Sequence, residues 1–290
     1  MKTELSDSNK KSLVFRTLGI LWVLIILSTF ILFFNTVYAF TYKRIVSLAP
    51  SITEILFALG LKEQIAGVTN FCDYPPEALK KPRVGGMTNP SLEAIVRLRP
   101  DIVVLTIDGN HKEFEERLKR VGIRTYVFKA RRISELPEEI KRMGKAFGVM
   151  DKATQLSEQF KATLNYYKNS TYQSKKKNAL FIIWPEPLIV AGPGTAIDEA
   201  MGLVGLVNIA HDATARYPRY SLEEVIRRNP DVIFIGKGHE DMRKVSSRIL
   251  KRLSMVKAVK EGRVYYVSDA LYRLGPRIID GIQELAGYLK

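Results

Sequence analysis

A fifteen-residue pattern occurs twice in this chain. Residues 91–105 read SLEAIVRLRPDIVVL and residues 221–235 read SLEEVIRRNPDVIFI. Ser, Leu, Glu, Arg, Pro and Asp recur at identical offsets, and most other positions hold conservative exchanges. The copies start 130 residues apart. That spacing is far too long for a solenoid repeat and suits two similar lobes. A chain of 290 residues has room for two such lobes, each with its own core. Each copy opens on a helix-capping serine, stops at a proline and continues into an apolar run, which predicts helix, break, strand.

The surrounding sequence extends this alternation. Lys43–Leu48 reads as a buried strand. Ser51-Ile-Thr-Glu54 has the form of a capping box, and apolar residues follow at helical spacing up to a stop at Gly60. Strands are predicted at 65–69, 102–105 and 123–128, with helices at 91–98 and 112–121. Residues 134–173 differ, because Ile140, Met143, Phe147, Ala153, Leu156, Phe160 and Leu164 recur every three to four positions without a strand signal. The spacing predicts one long helix there, or two with a bend near Gly148. Beyond it the plan returns. Strands are expected at 179–183, 232–235 and 263–267, and helices at 196–201, 221–228, 244–259 and 276–289. The expected fold class is α/β, two Rossmann-like lobes with parallel sheets, joined by a single long helix. The expected divisions are 1–39, 40–133, 134–177 and 178–290.

The first of these divisions is an export or anchoring segment. Lys10, Lys11 and Arg16 precede an uncharged run from Leu18 to Phe34, and Val37-Tyr38-Ala39 offers a peptidase cleavage pattern. The run exceeds an ordinary signal core and is nearly long enough to span a bilayer, so a cleaved leader and an uncleaved anchor both stay open. In either case the positive flank remains inside and the bulk crosses. No cysteine ends the run, which rules out lipidation there.

Composition narrows the partners. The net charge is +15, and about +13 without the first 39 residues, which favours anionic lipid headgroups or anionic groups on a ligand. The basic residues carry no nucleic-acid motif, so no nucleic-acid partner is expected. Cys72 is the only cysteine, so no intrachain disulfide or cysteine-based metal cluster forms. His111, His211 and His239 lack ligand-like spacing. Asp108 with His111 is a weak catalytic candidate, and GxxxxGK[ST] and GxGxxG are both missing, so neither an enzyme nor a nucleotide site is expected.

Some residues stand out. Glu93 and Glu223 hold matching positions two residues after each serine. They suit either a helix dipole or a docking contact, and the sequence alone leaves both open. Asp269 and Arg273 follow the last strand, where ligands of α/β lobes sit, although an i,i+4 surface pair has the same spacing. Phe71, Tyr74, Trp184, Tyr217, Tyr220 and Tyr272 lie near strand-to-helix loops, where aromatics form walls for a large flat ligand or serve as ordinary core.

RIVSLAPSITEILFALGL at 44–61, FCDYPPEA at 71–78, both SLE…PD copies, GPGT at 192–195 and DALYRLGPRI at 269–278 resemble the periplasmic substrate-binding proteins of importers for vitamin B12, ferric siderophores and haem. The similarity covers nearly everything after residue 43. The cobalamin binders match best, through the DYPP turn and the DxxxR pair. The resemblance implies a class III helical-backbone fold that holds its ligand between the lobes, acts as a monomer, and works without a cofactor of its own. It implies that Ser51, Phe71, Met87, Trp184, Tyr217, Asp269 and Arg273 line the ligand site. Glu93 and Glu223 would dock onto arginines of an inner-membrane ABC permease dimer carrying its ATPase subunits. Met87 and Thr106 stand where the best-known cobalamin binder has tryptophans, so another corrinoid or bulky metal chelate stays in view. For a haem carrier, Tyr217 could serve as the axial ligand. A ferric-siderophore or haem carrier of the same fold is the near alternative. An exported metal-cluster enzyme or a membrane-anchored sensor on this scaffold is the distant one. The expected location is the periplasm, or the outer face of the inner membrane.

Overall fold

The computed structural model describes residues 42–169, 176–238 and 241–289, together with Trp22. The N-terminal apolar run, Phe40, Lys175 and His239 lie outside the described residues. Residues 41–290 form one compact unit. The first lobe runs β1 (Ile45–Ser47), α1 (Pro50–Ala58), β2 (Ile65–Val68), α2 (Leu92–Arg97), β3 (Ile102–Thr106), α3 (Lys112–Arg120) and β4 (Thr125–Phe128). Next come α4 (Leu136–Phe147) and α5 (Met150–Lys168). The second lobe opens with β5 (Lys177–Pro185), β6 (Leu188–Val190), α6 (Ala196–Leu203), β7 (Leu206–Asn208) and α7 (Leu222–Arg228). It closes with β8 (Val232–Gly236), α8 (Met242–Arg252), α9 (Lys257–Lys260), β9 (Val264–Val267) and α10 (Ile278–Gly287).

The two sheets share one topology. In the first, the order is β2-β1-β3-β4 and every pair is parallel. In the second, β7, β5, β8 and β9 stand in the same relation, also parallel. The addition is β6, which lies antiparallel beside the end of β5, on the edge that β7 occupies at its start. The short strands β6 and β7 are not apparent in the sequence pattern. The helix expected over 244–259 divides into α8 and α9 around Leu253–Val256.

The described part of the span, 134–169, contains two helices, and the break is sharp. Gly148 takes the left-handed conformation, with φ 69° and ψ 28°, which a glycine adopts without steric cost. The chain then turns back, and α5 packs on α4. A Cβ on Gly144 would lie 2.1 Å from the Cβ of Ala153, so this glycine permits the close approach. Helix α4 belongs with the first lobe, where Phe147 packs against Tyr126 of β4 and against Tyr42. The connecting helix is therefore α5 alone, 19 residues and roughly 28 Å long.

One hydrophobic cluster joins the lobes. It holds Ile45 and Val104 of the first sheet, Phe181 and Phe234 of the second, and Phe160 and Leu164 of α5. Smaller clusters fill the other face of each sheet. A shared core resists relative motion because separating the lobes would expose apolar surface. Among the described residues no helix is long and apolar enough to cross a membrane.

Replacing Gly144 with valine should overpack the α4–α5 contact and lower stability by about 1–3 kcal/mol. Urea denaturation measures this. An unchanged midpoint would mean that the two helices separate freely.

Candidate functional site

The duplicated pattern can be read residue by residue. Ser91 and Ser221 cap α2 and α7, their hydroxyls accepting from the third helical N–H at 3.2 and 3.1 Å. Both helices end on a left-handed residue before proline, Arg99 with φ 46° and Asn229 with φ 42°. Asp101 accepts from the backbone N–H groups of Lys43 and Arg44, and Asp231 from that of Asn178, which ties each loop to the start of its neighbouring strand. Burial is identical position by position over 91–99 and 221–229. Ser, Pro and Asp thus serve the fold. Glu93 and Glu223 occupy exposed positions in the first turn of each helix. Glu93 accepts from Arg97, at 2.7 Å, in an exposed i,i+4 pair. Hydrogen bonds from its own backbone N–H and from Ser221 hold the Glu223 carboxyl below the usual range, and Arg252 adds to this. Since α2 and α7 each lead into a parallel strand, both glutamates lie at the rim where the strands of their sheet end.

The same rims carry a cavity of about 440 Å³. The loop after β1 contributes Pro50 and Ser51, and the loop after β2 contributes Phe71 and Asp73. Met87 completes the first lobe's share. From the second lobe come Lys237 and Gly238 after β8, and Ser268, Asp269, Tyr272 and Arg273 after β9. Phe71 lines the cavity and is 46% exposed. The Tyr272 hydroxyl accepts from the Gly238 N–H at 3.0 Å, which fixes the loop after β8. The Met87 carbonyl is held by the Asn110 amide at 2.8 Å.

Beneath the cavity the lobes are clamped by charge. Glu54 of α1 is 2% exposed, and Arg273 is 7% exposed. Glu54 Oε1 accepts from Arg273 at 3.3 Å and from Arg277 at 3.1 Å. Arg273 also donates to Asp73 at 2.5 Å and to Asp269 at 2.5 Å, while Arg277 reaches Asp269 at 3.3 Å and lies over the ring of Tyr74. Glu54 and Asp73 belong to the first lobe, and the other three to the second. Burial pushes the Glu54 carboxyl up, against the pull of Arg277 and Arg273. Asp73 moves the other way: desolvation is outweighed by Arg273, which holds it below the usual carboxylate range.

Several expectations need correction here. The capping box at 51–54 does not form. The helix starts at Pro50 on Ala49 without a side-chain cap, so Ser51 is free to face the cavity and Glu54 turns inward. Asp269 and Arg273 are not a surface pair but part of the buried clamp. Trp184 is not on the cavity wall. It packs on the second lobe's core beside the β5–β6 turn, and its indole N–H donates to the Glu186 carbonyl at 2.8 Å. Tyr217 is half-exposed and outside the cavity lining, next to Arg216. Arg216 makes a second bridge between the lobes, donating to Asp108 at 2.5 Å and to the Gly194 carbonyl at 3.0 Å. Asp108 is therefore committed to Arg216 and Arg131, not to His111. In the GPGT loop, Thr195 caps α6 by accepting from the Asp198 N–H. Glu54, Asp73 and Arg277 were not singled out from the sequence. The available signal was an acid inside the otherwise apolar helix PSITEILFA.

Two lobes of equal topology, bridged by one helix and enclosing a cavity at their strand ends, define a solute-binding protein of the clamp type. The chain belongs to the periplasmic binding protein family, whose model matches residues 45–271. It is 34% identical over 255 residues to the uncharacterized ABC transporter substrate-binding lipoprotein YvrC of Bacillus subtilis, covering 84% of this chain and 79% of that one. It is 28% identical to a vitamin B12-binding protein of Vibrio cholerae, covering 87% of this chain and 90% of the relative. Among solved structures, the periplasmic vitamin B12-binding protein BtuF of Vibrio cholerae superposes with a TM-score of 0.76 at 26% identity, over 86% of this chain and 96% of that one. The periplasmic haem-binding protein RhuT of Roseiflexus gives 0.75 at 26% identity, over 85% and 97%.

The raised Glu54 pKa fixes the sign of a pH effect. In the folded state Glu54 holds its proton at higher pH than in the unfolded chain, so its contribution favours folding at low pH and is lost as pH rises through the folded value. Glu54→Gln removes this dependence. The stability difference between wild type and variant, followed by urea denaturation, should shift in favour of the wild type as pH falls toward 4.5. Parallel curves would contradict the inward, desolvated carboxyl.

Proposed function

We propose that this protein is the substrate-binding component of an ABC importer for cobalamin or a related corrinoid, working outside the inner membrane, either free in the periplasm or held by its N-terminal segment. It carries its ligand and performs no chemistry on it. The observation that supports this best is the mixed lining of the inter-lobe cavity. Phe71, Met87 and Tyr272 offer apolar and aromatic surface to a flat macrocycle, while Ser51, Lys237, Asp269 and Arg273 offer hydrogen bonds to a polar periphery. Burial of the macrocycle would supply most of the affinity and the polar groups its orientation. The names of the Vibrio cholerae relatives support the ligand class.

Delivery would follow through Glu93 and Glu223, one on each lobe, pairing with cations of the permease dimer. Two separated carboxylates set the orientation of docking, and complementary charge governs encounter and register. Both are exposed.

A haem carrier is the second reading. It is favoured by the half-exposed Tyr217 beside the cleft and by the likeness to RhuT. Isothermal calorimetry with cobalamin, haem and a ferric siderophore separates the two. Cobalamin binding that Phe71→Ala weakens about tenfold, near 1.4 kcal/mol, supports the corrinoid reading. Haem binding abolished by Tyr217→Phe would replace it. Reversing both Glu93 and Glu223 to lysine should abolish corrinoid-dependent uptake while leaving ligand affinity unchanged. Full uptake by that double variant would remove the docking role.

A further inference from the structure

The duplication supplies an internal control for charge. In the first lobe, residues 112–124, from α3 to the start of β4, hold five basic and three acidic residues. In the second lobe, the corresponding residues 242–263, from α8 through α9 to β9, hold eight basic residues and a single acid, Glu261. That stretch contributes +7 of the chain's +15. Helices α3 and α8 fill equivalent places beside equivalent strands, whereas α9 has no counterpart in the first lobe, so the fold does not require the excess that α8 carries.

The excess lies on the surface. Seven of the eight cations are exposed and Arg263 is half-buried, while the inward face of Met242, Ile249, Leu253 and Val256 is core. Arg248 meets Glu186 only at 3.9 Å, Lys257 pairs with Asp231 at 2.6 Å, and Arg263 pairs with Glu261. Arg243 rests on the ring of Tyr266, which leaves its charge uncancelled. Among the described residues, no carboxylate makes a salt bridge with Lys244, Lys251, Arg252 or Lys260. Between the two helices Met255 stands 68% exposed, an apolar knob in a basic field. The field starts at the docking rim, since Arg248 and Arg252 border one small cavity together with Leu222 of α7.

We propose that the α8–α9 face binds an anionic phospholipid surface. Clustered, unpaired lysines and arginines on one face are the electrostatic signature of such binding, and an exposed apolar side chain among them enters the headgroup layer. The partner follows from position as well as charge. A carrier that docks on a membrane permease through Glu223 brings the neighbouring face over the lipids around that permease. This placement rests on the docking reading given above, whereas the affinity of the face for lipid does not. The same contact would hold an unloaded carrier in the plane of the membrane, where a two-dimensional search shortens the path to a permease.

The test uses the full chain with vesicles that contain no permease, either zwitterionic phosphatidylcholine or the same lipid with about a third phosphatidylglycerol. Lysines are labelled with an amine-reactive reagent and read by mass spectrometry. On the anionic vesicles Lys244, Lys251 and Lys260 should lose about threefold or more of their labelling, while Lys112 and Lys119 of α3 keep theirs. The protection should disappear in high salt, because exposed charges are screened within about 10 Å at 0.1 M and less above it. The combined variant Lys244→Glu, Lys251→Glu, Arg252→Glu and Lys260→Glu should lose the difference between the two lipids. Equal labelling on both vesicles would overturn the proposal. Protection that appeared only when permease was added to zwitterionic vesicles would also overturn it, and would assign the face to the permease. Without permease, a failed docking reading leaves this outcome untouched.

Discussion

The clamp of Glu54 and Asp73 against Arg273 and Arg277 is the constraint on which the cleft depends. It joins residues 219 positions apart in sequence and sets the spacing of the lobes at the floor of the cavity. The pairing has to be good, because charges removed from water repay their desolvation only with close geometry and satisfied hydrogen bonds. Arginine suits the position, since its planar fork serves several carboxylates at once. Arg273 touches three of them. Three carboxylates and two guanidiniums leave the cluster one negative charge in excess, while burial raises the affinity of Glu54 for a proton. Because Arg273 and Asp269 also line the cavity, the groups that orient the lobes are the groups a ligand meets. Binding and lobe geometry are therefore linked by shared residues.

The repeat separates the demands of the fold from those of function more sharply than either lobe could alone. A serine cap, a left-handed stop before proline and an aspartate on the neighbouring strand recur because each satisfies backbone groups that would otherwise be unpaired. The glutamates recur at exposed first-turn positions, where Glu93 pairs with Arg97 and Glu223 accepts from its own N–H. The charge of the helix that follows, α3 in one lobe and α8 in the other, does not recur, although its place beside the strands does. Divergence despite structural equivalence points to a surface used for something other than folding.

Much of the architecture was legible in the sequence because local signals and tertiary demands agreed. Caps, glycine stops and buried apolar runs located most strands and helices, and the repeat located the second lobe. The failures have physical causes. The capping-box reading of 51–54 did not allow for Pro50, which begins the helix two residues early, and Glu54 is buried instead of capping. An acid flanked by isoleucine, threonine and leucine in an apolar helix is destined for burial, and burial requires partners that only the fold can supply. Those partners lie in the last tenth of the chain. Trp184 misled because a loop aromatic near a strand end serves a tight hairpin as readily as a ligand wall. The strands β6 and β7 escaped because three residues carry too little periodicity to show a pattern.

Two of the bridges between the lobes differ in strength, and so in how they yield. Glu54 and Arg273 are buried, and breaking a buried pair from one side costs about 3–5 kcal/mol. Arg216 and Asp108 are each more than a quarter exposed, and a pair so wet is worth about 1 kcal/mol or less. The second is accompanied by Arg216 donating to the Arg131 carbonyl at 3.2 Å and by Ser134 N–H donating to Glu199 at 3.1 Å. If the lobes part, the exposed Arg216 pair is expected to yield before the Glu54 clamp. Tight orientation at one end and a yielding wall at the other is what a single connecting helix of 19 residues permits, because it holds the lobes at a fixed distance and leaves only a small rotation between them.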